Sequence, residues 1–328
     1  MRMIKLKNEL QHAETVIIAG HVRPDGDSTG SCLAVYNYIR EQFPGVDVKV
    51  YLETVNPNFL FLKGAEEIRT EYPAEESCDL FVSLDVSDKE RLGKALPYFE
   101  GAKRTLCIDH HITNPGFADE NLICADASST SELVYEILDE EKISKETAEA
   151  LYLGIVHDTG VFQYSNTTEK TMGIAGKLMA KGIDFTRIVD DTFYKKTYVQ
   201  NQILGRALME SILLLEGRVI MGRIRQKDME FYGVGPKDLE GIVNQLRVTQ
   251  GVEVAIFLHE TGTQEYKVSL RSNGIVDVSR VCAYFGGGGH VKAAGCTMHG
   301  TMYDVVNNLT LHIEQQLLGE DTEQESGK

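Results

Sequence analysis

The sequence predicts an α/β protein with two domains: a mostly parallel β-sheet flanked by helices, followed by a second, smaller mixed α/β domain. Three observations support this prediction. Short apolar segments alternate with helical patterns through the first half of the chain, as in βαβ units. The pattern changes after Glu216, where strand-like segments predominate. A length of 328 residues is large for one compact core and suits two domains.

The alternation in the first half defines its elements in order. Strands are predicted at 15–20, 46–52, 79–84, 104–108 and 121–125, and helices at 28–42, 89–99, 131–139, 145–156, 169–179 and 199–211. Strands separated by helices favour parallel pairing, because a parallel connection has to cross over the sheet. We therefore expect a sheet that helices cover on both faces.

The second half contains predicted strands at 219–225, 252–259 and 266–271, and a final helix at 302–318. This divides the chain into a first domain over 1–190, a helical connector over 191–215, a second domain over 216–320 and a disordered tail over 321–328. Disorder is expected in the tail because the last ten residues, GEDTEQESGK, are polar and acidic.

Composition argues against several classes of protein. Hydrophobic residues make up 42% and charged residues 25% of the chain, which is ordinary for a globular protein and excludes extensive disorder. No apolar run is long enough to cross a bilayer, and the first residues lack the apolar stretch of a secretory signal. The six cysteines form no CxxC pair, which argues against structural zinc and predicts reduced thiols in a cytoplasmic protein.

The net charge of −16 limits which nucleic acids the protein can bind. A protein that holds a long nucleic acid needs a basic surface to neutralise many phosphates. We therefore expect short oligonucleotides and small nucleotides as ligands, with no long nucleic-acid tract and no membrane. Bound metal cations would still make one site locally attractive to phosphate.

Acidic and histidine side chains cluster at the predicted ends of three strands and one helix. The segments are HVRPDGDSTG at 21–30, SLDVSD at 83–88, IDHH at 108–111 and HDTG at 157–160. Open parallel sheets bind ligands outside the carboxyl ends of their strands, so three of these groups point to one crevice. An aspartate after a strand is also a common turn residue or helix N-cap, and Ser28 alone could cap the next helix. That explanation suits any one group better than all four together.

The residue types suit a pair of divalent metal ions. Such a pair needs a bridging carboxylate, further carboxylates and neutral imidazoles, with positions left open for water. The candidate metal ligands are His21, Asp25, Asp27, Asp85, His110 and Asp158. A nitrogen and oxygen set without thiolates favours Mn²⁺, and is also compatible with Mg²⁺, Fe²⁺ and Co²⁺. A water between two such ions would become a hydroxide near neutral pH and attack phosphorus.

The four segments resemble the motifs of the DHH phosphoesterases, a family named after a triplet that here is Asp109-His110-His111. The resemblance extends over the whole chain and implies two metals. The ligands that it implies for one metal are His21, Asp25 and Asp85. For the other metal they are Asp27, Asp85, His110 and Asp158, with Asp85 bridging.

The same resemblance implies roles for the residues around the ligands. His111 is expected to face the phosphate or to donate a proton, and Asp109 to orient the histidines rather than bind metal. Asp85 counts with them as a catalytic residue because it bridges the metals. His157 receives no role, since the family has a small residue at that position.

A glycine run, FGGGGH at 285–290, is the candidate substrate-binding feature of the second domain. It precedes VKAAG, which is compatible with a helix, and glycines before a helix let backbone N–H groups approach a phosphate. A flexible turn explains the run equally well, and an ordinary solvated arginine is the alternative for Arg271. The candidate substrate-binding residues are Arg271, Ser272, Asn273, Gly287, Gly288, Gly289 and His290.

GGGGHVKAAG and LRSNG are similar to the DHH-associated domain of RecJ-like enzymes. The sequence has neither the lysine-containing clamp of family II inorganic pyrophosphatases nor the oligonucleotide-binding domain of full-length RecJ exonucleases. Its length and order resemble the bifunctional oligoribonuclease branch, also called nanoRNase/pAp phosphatase. This resemblance implies hydrolysis of dinucleotides and very short oligonucleotides to mononucleotides. It also implies hydrolysis of 3′-phosphoadenosine-5′-phosphate (pAp) to AMP, and a homodimer.

Alternatives remain open at this point. Stand-alone two-domain relatives hydrolyse cyclic di-AMP or its linear product pApA, and the sequence does not separate these substrates. A nucleotide-binding regulator without activity is disfavoured, because every motif ligand is present. A dinucleotide-cofactor domain is excluded, because no GxGxxG segment follows the first strand.

A small domain tethered to a metal domain is expected to form a cleft that suits a substrate of two nucleotides.

Overall fold

The computed structural model describes residues 5–74 and 76–326, with only the backbone for 320–326. The chain forms two compact units that divide between Lys195 and Lys196. Within the described residues, no helix has both the length and the apolar character needed to span a membrane.

The first unit is built on five parallel strands. They are β1 Thr15–Ala19, β2 Asp47–Tyr51, β3 Leu80–Leu84, β4 Arg104–Asp109 and β5 Glu120–Ile123, in the order β2-β1-β3-β4-β5. Ile17 in β1 lies opposite Lys49 in β2 and Phe81 in β3, and all neighbouring pairs run parallel. The chain moves from β1 to one side and then to the other, which creates the switch point where such sheets bind ligands.

Helices cover both faces of this sheet, which confirms the predicted fold class. They are α1 Leu6–Glu9, α2 Gly26–Gln42, α3 Leu96–Gly101, α4 Thr130–Ile137, α5 Lys145–Asp158, α6 Glu169–Ala180 and α7 Phe185–Val189, then a π-helical turn at Asp190–Tyr194. Short 3₁₀ helices lie at Leu10–His12, Pro57–Phe59, Ala65–Glu67, Lys89–Ala95 and Glu140–Lys142. Successive strand side chains point to opposite faces. Thus Ile18 packs with α2, α4 and α5, whereas Ile17 packs with Tyr98 and Phe99 of α3.

Helices α2 and α5 approach each other so closely that glycine is required where they meet. A Cβ added to Gly30 of α2 would lie 2.4 Å from the backbone oxygen of Ala150 in α5. One added to Gly154 of α5 would lie 2.6 Å from Asp27 Oδ1 at the start of α2. This packing places the first turn of α2 and the last turn of α5 side by side at the carboxyl end of β1.

The second unit has a mixed six-stranded sheet. Its strands are β6 Ile212–Leu214, β7 Val219–Ile224, β8 Val254–Gly262, β9 Glu265–Ser272, β10 Gly288–His290 and β11 Ala293–His299, in the order β10-β11-β9-β8-β7-β6. Its helices are α8 Tyr198–Met209, α9 Gln226–Tyr232, α10 Ile242–Arg247, α11 Val278–Ala283 and α12 Met302–Ser326, with 3₁₀ helices at Leu215–Gly217 and Pro236–Leu239. Strands β7 and β8 are parallel and the other pairs antiparallel. Helices α11 and α12 pack on one face and α8 and α10 on the other.

The segment VKAAG, whose sequence is compatible with a helix, does not form one. Helix α11 ends at Ala283, before the glycine run, and the residues after the run form strand β11, which pairs with β9 and β10. Alternate residues of β11, Ala294, Cys296 and Met298, are buried against the core of the unit. This two-residue period and the pairing with β9 favour a strand over a helix. No helix N-terminus therefore follows the glycines.

The final helix is longer than predicted. Helix α12 continues to Ser326, so most of the segment predicted to be a disordered tail is helical, and residues 327–328 lie outside the described residues. Leu309, Ile313 and Leu317 are packed into the core of the unit and hold the helix in place. Once started, a helix propagates at little cost through residues such as Glu and Gln, because each adds one hydrogen bond.

Candidate metal centre and substrate contacts

The predicted metal ligands converge at the carboxyl end of the first sheet. His21, Asp25 and Asp27 follow β1, Asp85 follows β3, His110 follows β4 and Asp158 ends α5. Their side-chain nitrogens and oxygens form three overlapping groups in which the ligand atoms lie within 4.8 Å of one another. These groups are His21-Asp25-Asp85, Asp27-His110-Asp158 and Asp85-His110-His111. The structure thus brings all six predicted ligands together.

Asp85 is at the centre of this arrangement. One carboxylate oxygen lies 3.5 Å from His21 Nε2, and the other lies 3.6 Å from His110 Nε2. The side chain is only 2% exposed, and Thr130 at the start of α4 donates a hydrogen bond of 3.2 Å to it. Its backbone has a φ of +60°, a left-handed conformation that aspartate tolerates better than most residues. This turn aims a single carboxylate at two histidines from different strands.

The carboxylate of Asp25 has two functions. Oδ1 accepts hydrogen bonds from the backbone N–H groups of Asp27 and Ser28, both at 3.1 Å, and so caps α2. Oδ2 lies 3.6 Å from His21 Nε2. Asp25, not Ser28, is therefore the N-cap, and capping leaves its second oxygen available for a cation.

Asp27 is fully buried and is held by the first turn of α4. Its carboxylate accepts hydrogen bonds from the backbone N–H groups of Thr130 at 2.6 Å and Ser131 at 2.9 Å. Burial, together with the charges of Asp85 and Asp158, raises the Asp27 pKa well above its ordinary value. The N-terminus of a helix favours negative charge, but it offsets only part of the repulsion among three carboxylates.

The neighbouring carboxylates raise the pKa values of two histidines in the cluster, His21 and His110. Burial lowers the pKa of His21, but Asp25 and Asp85 outweigh burial and raise that pKa to about 10. His110 Nε2 lies 3.0 Å from Asp158 Oδ2, and the His110 pKa is raised to about 10 by Asp158 against the effect of burial. The cluster therefore attracts positive charge strongly.

The donor set fits divalent cations. Four carboxylates and two imidazoles meet at a site where His21, Asp27 and Asp85 are buried and Asp25 is exposed, with no thiolate among them. Burial raises the pKa of Asp158 to about 6. The negative charges of Asp85 and Asp25 also raise this pKa, whereas the hydrogen bond with His110 lowers it. Carboxylates that repel each other in this way are stabilised by cations, and mixed N/O ligands suit Mn²⁺ and related ions.

Asp109 and His111, the other two residues of the triplet, form a hydrogen-bonded pair beside the candidate metal ligands. His111 Nδ1 donates a hydrogen bond of 2.7 Å to Asp109 Oδ1, and Asn114 donates one of 2.7 Å to Asp109 Oδ2. Asp109 is fully buried and belongs to none of the three ligand groups. Its hydrogen bond raises the pKa of His111. The bond also fixes the imidazole, so that Nε2 is the nitrogen left for other partners.

Asn114 and Thr130 complete this geometry, although neither lies in one of the four sequence motifs. Asn114 lies three residues after His111, and Thr130 begins the helix that follows β5. Both are polar residues in or next to loops at this edge of the sheet, which is the signal that could have identified them.

The side chain of His157 packs beside the candidate metal centre. Its ring packs against Gly26 so closely that a Cβ added there would lie 2.3 Å from His157 Cγ. Its Nε2 is 3.0 Å from Thr192 Oγ1. Burial lowers its pKa to about 4.

In the second unit, Arg271 and His290 lie in one row across three strands. Ala293 of β11 pairs with Arg271 of β9 on one side and with His290 of β10 on the other. Directly paired residues of antiparallel strands point to the same face. Arg271 and His290 therefore share a face and are separated by a small alanine. Arg271 also donates hydrogen bonds of 3.0 Å to Asn244 Oδ1 and to the Leu270 carbonyl.

The other predicted substrate-binding residues have structural partners. Ser272 donates a hydrogen bond of 3.0 Å to Glu253, and Asn273 donates one of 2.7 Å to the Val252 carbonyl. The glycines allow β10 to lie close to β11. A Cβ at Gly287 would be 2.3 Å from the Gly295 oxygen, and one at Gly289 would be 2.5 Å from the Ala293 oxygen. Gly288 has open space where its Cβ would be.

Comparison with known proteins assigns the family. Residues 15–155 match the N-terminal domain of the DHH family, and residues 218–318 match the DHHA1 domain. The chain belongs to the DHH family. The two matches fall on the sheet that carries the candidate metal ligands and on the sheet that carries Arg271 and His290.

Relatives of this DHH-family chain match along most of its length. It is 30% identical to the bifunctional oligoribonuclease and PAP phosphatase NrnA of Bacillus subtilis, over 87% of this chain and 90% of that protein. It is 28% identical to the protein of the same name from Thermus thermophilus, over 88% and 86%. Among solved structures, an exopolyphosphatase-related protein from Bacteroides fragilis superposes with a TM-score of 0.86 at 27% identity, covering 95% of this chain and 96% of that one.

Proposed function

We propose that this DHH-family protein hydrolyses phosphoester bonds in short oligonucleotides, releasing mononucleotides, and in pAp, releasing AMP. The convergence of the six candidate metal ligands around Asp85 carries the proposal. The names of the Bacillus subtilis and Thermus thermophilus relatives, oligoribonuclease and PAP phosphatase, support the choice of substrates.

Two cation sites that share Asp85 are proposed, and the overlapping groups of ligand atoms support this division. His21, Asp25 and Asp85 would hold one ion. The ligands proposed for the second ion are Asp27, Asp85, His110 and Asp158. We propose two Mn²⁺ ions per chain, a choice supported by the mixed nitrogen and oxygen donors. When bound, such ions lower the pKa of a coordinated water and neutralise charge on a phosphoryl group.

His111 is proposed to supply the proton for the leaving oxygen. Asp109 accepts the proton of Nδ1, so Nε2 is free to face a substrate. The raised pKa of His111 keeps its imidazolium form to higher pH than for an ordinary histidine. A positioned imidazolium can protonate a departing alkoxide, which is a poor leaving group without a proton.

Substrate contacts by the second unit are proposed for Arg271 and His290. They share one face of the sheet, and a guanidinium can form two parallel hydrogen bonds with a phosphate. Ser272 and Asn273 are proposed to contribute indirectly, because their side chains hold the end of β9 against Glu253 and Val252. Gly287, Gly288 and Gly289 are proposed to present backbone groups to the substrate from the β10 hairpin.

Location and assembly complete the proposal. All six cysteines carry free thiols, which supports a reducing, cytoplasmic compartment. The homodimer expected from family resemblance stays a prediction, and light scattering of the metal-loaded protein at several concentrations tests it.

A substrate panel tests the proposed activity. The protein is stripped with a chelator, reloaded with Mn²⁺, and offered a dinucleotide, pAp, pApA and cyclic di-AMP in parallel. We expect turnover of the dinucleotide and of pAp that depends on the added metal. Faster turnover of cyclic di-AMP or pApA would favour the alternative substrates instead. Hydrolysis of none of the four would refute the proposed phosphoesterase activity.

A further inference from the structure

We infer that Arg91 is a further catalytic residue, which contacts the phosphoryl group being cleaved; this inference rests on the function proposed above. Arg91 lies in the 3₁₀ helix Lys89–Ala95, after the loop that carries Asp85. It is not among the candidate metal ligands or substrate-binding residues that the sequence motifs predict.

The backbone around Arg91 is attached directly to the loop that carries His21. The N–H of Val22 donates a hydrogen bond of 2.8 Å to the Arg91 carbonyl. Two residues later, Gly93 has a φ of +54°, and an added Cβ there would lie 2.5 Å from Val22 Cγ1. Asp88 caps the start of the 3₁₀ helix by accepting the N–H of Arg91 at 3.1 Å. Arg91 is therefore held at a defined distance from His21.

The guanidinium of Arg91 lies against the imidazole of His21. Its Nη2 is 3.2 Å from His21 Nδ1. The same Nδ1 is 2.8 Å from the Val22 carbonyl, an acceptor, so Nδ1 carries the proton when Nε2 faces a cation. A protonated Nδ1 has no lone pair to accept a hydrogen bond from Arg91. Arg91 is thus next to a metal ligand, with donors that His21 does not satisfy.

Arg91 also lacks an acidic partner. Among the side chains of residues 5–74 and 76–319, no carboxylate oxygen lies within 4.0 Å of its guanidinium. This is notable in a chain with 49 acidic residues. Its half-buried position beside the cluster suits an acceptor that arrives with the substrate. A phosphoryl group held by cations at Asp85 and His21 would provide anionic oxygens at that place.

The chemistry of the guanidinium matches this role. It is always charged, and its planar array of N–H groups fits two phosphoryl oxygens at once. During hydrolysis, a fixed cation stabilises the negative charge that develops on those oxygens. The simpler alternative is that Arg91 only supports His21, in which case its loss should weaken metal binding rather than phosphate binding.

The experiment compares Arg91→Gln and Arg91→Lys with Lys94→Gln. Lys94 lies on the same segment, is exposed, and its substitution removes the same charge. For each protein, the metal content is measured after loading with Mn²⁺, and the binding of inorganic phosphate is measured by calorimetry. Phosphate binding reports on Arg91 whichever substrate the enzyme uses, so the panel above and this test can fail independently.

For Arg91→Gln we expect unchanged metal content and phosphate binding weakened about 10- to 100-fold, the range for a lost hydrogen bond to a charged group. Arg91→Lys should be intermediate, and Lys94→Gln should match the wild type. If the wild type cleaves a dinucleotide, the Arg91→Gln kcat should fall about 10²–10³-fold. Wild-type phosphate affinity in Arg91→Gln would overturn the inference. Loss of Mn²⁺ from Arg91→Gln would also overturn it, because Arg91 would then support His21.

Discussion

Replacing Asp85 by Asn tests the two-cation arrangement most directly. Asn keeps the size of the side chain and, like Asp, tolerates the left-handed backbone conformation at this position, where φ is +60°. The change removes one charge from a carboxylate whose two oxygens face His21 and His110 at 3.5 and 3.6 Å. Because each oxygen faces a different ligand group, one substitution should weaken both cation sites.

The expected magnitude follows from the double role of Asp85. Removal of one preorganised electrostatic interaction lowers kcat by about 10²–10³-fold, and Asp85 serves two cation sites. We therefore expect turnover of a dinucleotide to fall by at least about 10³-fold, with less than two Mn²⁺ per chain. Stability without metal should change little, since removal of the Asp85 charge relieves its repulsion of Asp27 and Asp158 but also removes its attraction to His21.

A second variant, Asp85→Ala, separates chemistry from backbone strain. Alanine has no side chain that bonds locally, and a left-handed conformation costs such a residue about 1–2 kcal/mol. Asp85→Ala should therefore be less stable than Asp85→Asn by that amount, while both are inactive. The assays are metal content by elemental analysis, denaturant unfolding without metal, and rates with Mn²⁺ supplied. Near-wild-type rates and two bound Mn²⁺ in Asp85→Asn would refute the shared-ligand reasoning.

The other predictions concern the second unit, substrate length and pH. Arg271→Ala and His290→Ala should each raise KM for short substrates and leave the metal content unchanged, with some loss of kcat because remote binding energy orients the phosphate. Unchanged kinetics in both would make the β10 hairpin purely structural, and lost metal would place these residues at the metal site. Dinucleotides should be cleaved much faster than oligomers beyond about ten nucleotides, because the net charge is −16; equal rates in a length series would reveal a basic track. Asp79 accepts a 2.6 Å hydrogen bond from Lys103 and others from the start of β1, which lower its pKa. A lowered folded-state pKa stabilises the fold above the unfolded value of about 3.9 and less so below it. Asp79→Asn should therefore lower the melting temperature at neutral pH, and the difference should shrink in acid; a difference independent of pH would contradict this.

Much of the first unit could be predicted because its signals are local. Each strand of the parallel sheet is a short apolar segment, and the acidic and histidine residues follow these segments directly in the chain. The carboxyl ends of parallel strands meet at one edge, so adjacency in sequence was enough to predict that His21, Asp85 and His110 lie together. The structure agrees, since their ligand atoms form overlapping groups.

The second unit was harder to predict from sequence because its strands and side-chain contacts depend on residues that are distant along the chain. The five residues of VKAAG are compatible with a helix, whereas the strand that begins at Ala293 depends on pairing with β9, about twenty residues earlier. A β-strand gains its hydrogen bonds from a partner distant in the chain, and its propensity depends strongly on that partner. Likewise, the sequence predicts Ser272 and Asn273 as substrate-binding residues, and only the structure shows that their side chains hydrogen-bond to Glu253 and to the Val252 carbonyl.

The sequence by itself determined the fold class, the order of strands along the chain and the residue types available for a metal site. Only the tertiary structure decided which atoms those residues present to one another. It gave Asp25 both a cap and a free oxygen, set Asn114 behind Asp109, and placed Arg91 against His21. The physical reason is that secondary structure follows from neighbours along the chain, whereas hydrogen bonds between loops depend on how packed helices and strands bring those loops together.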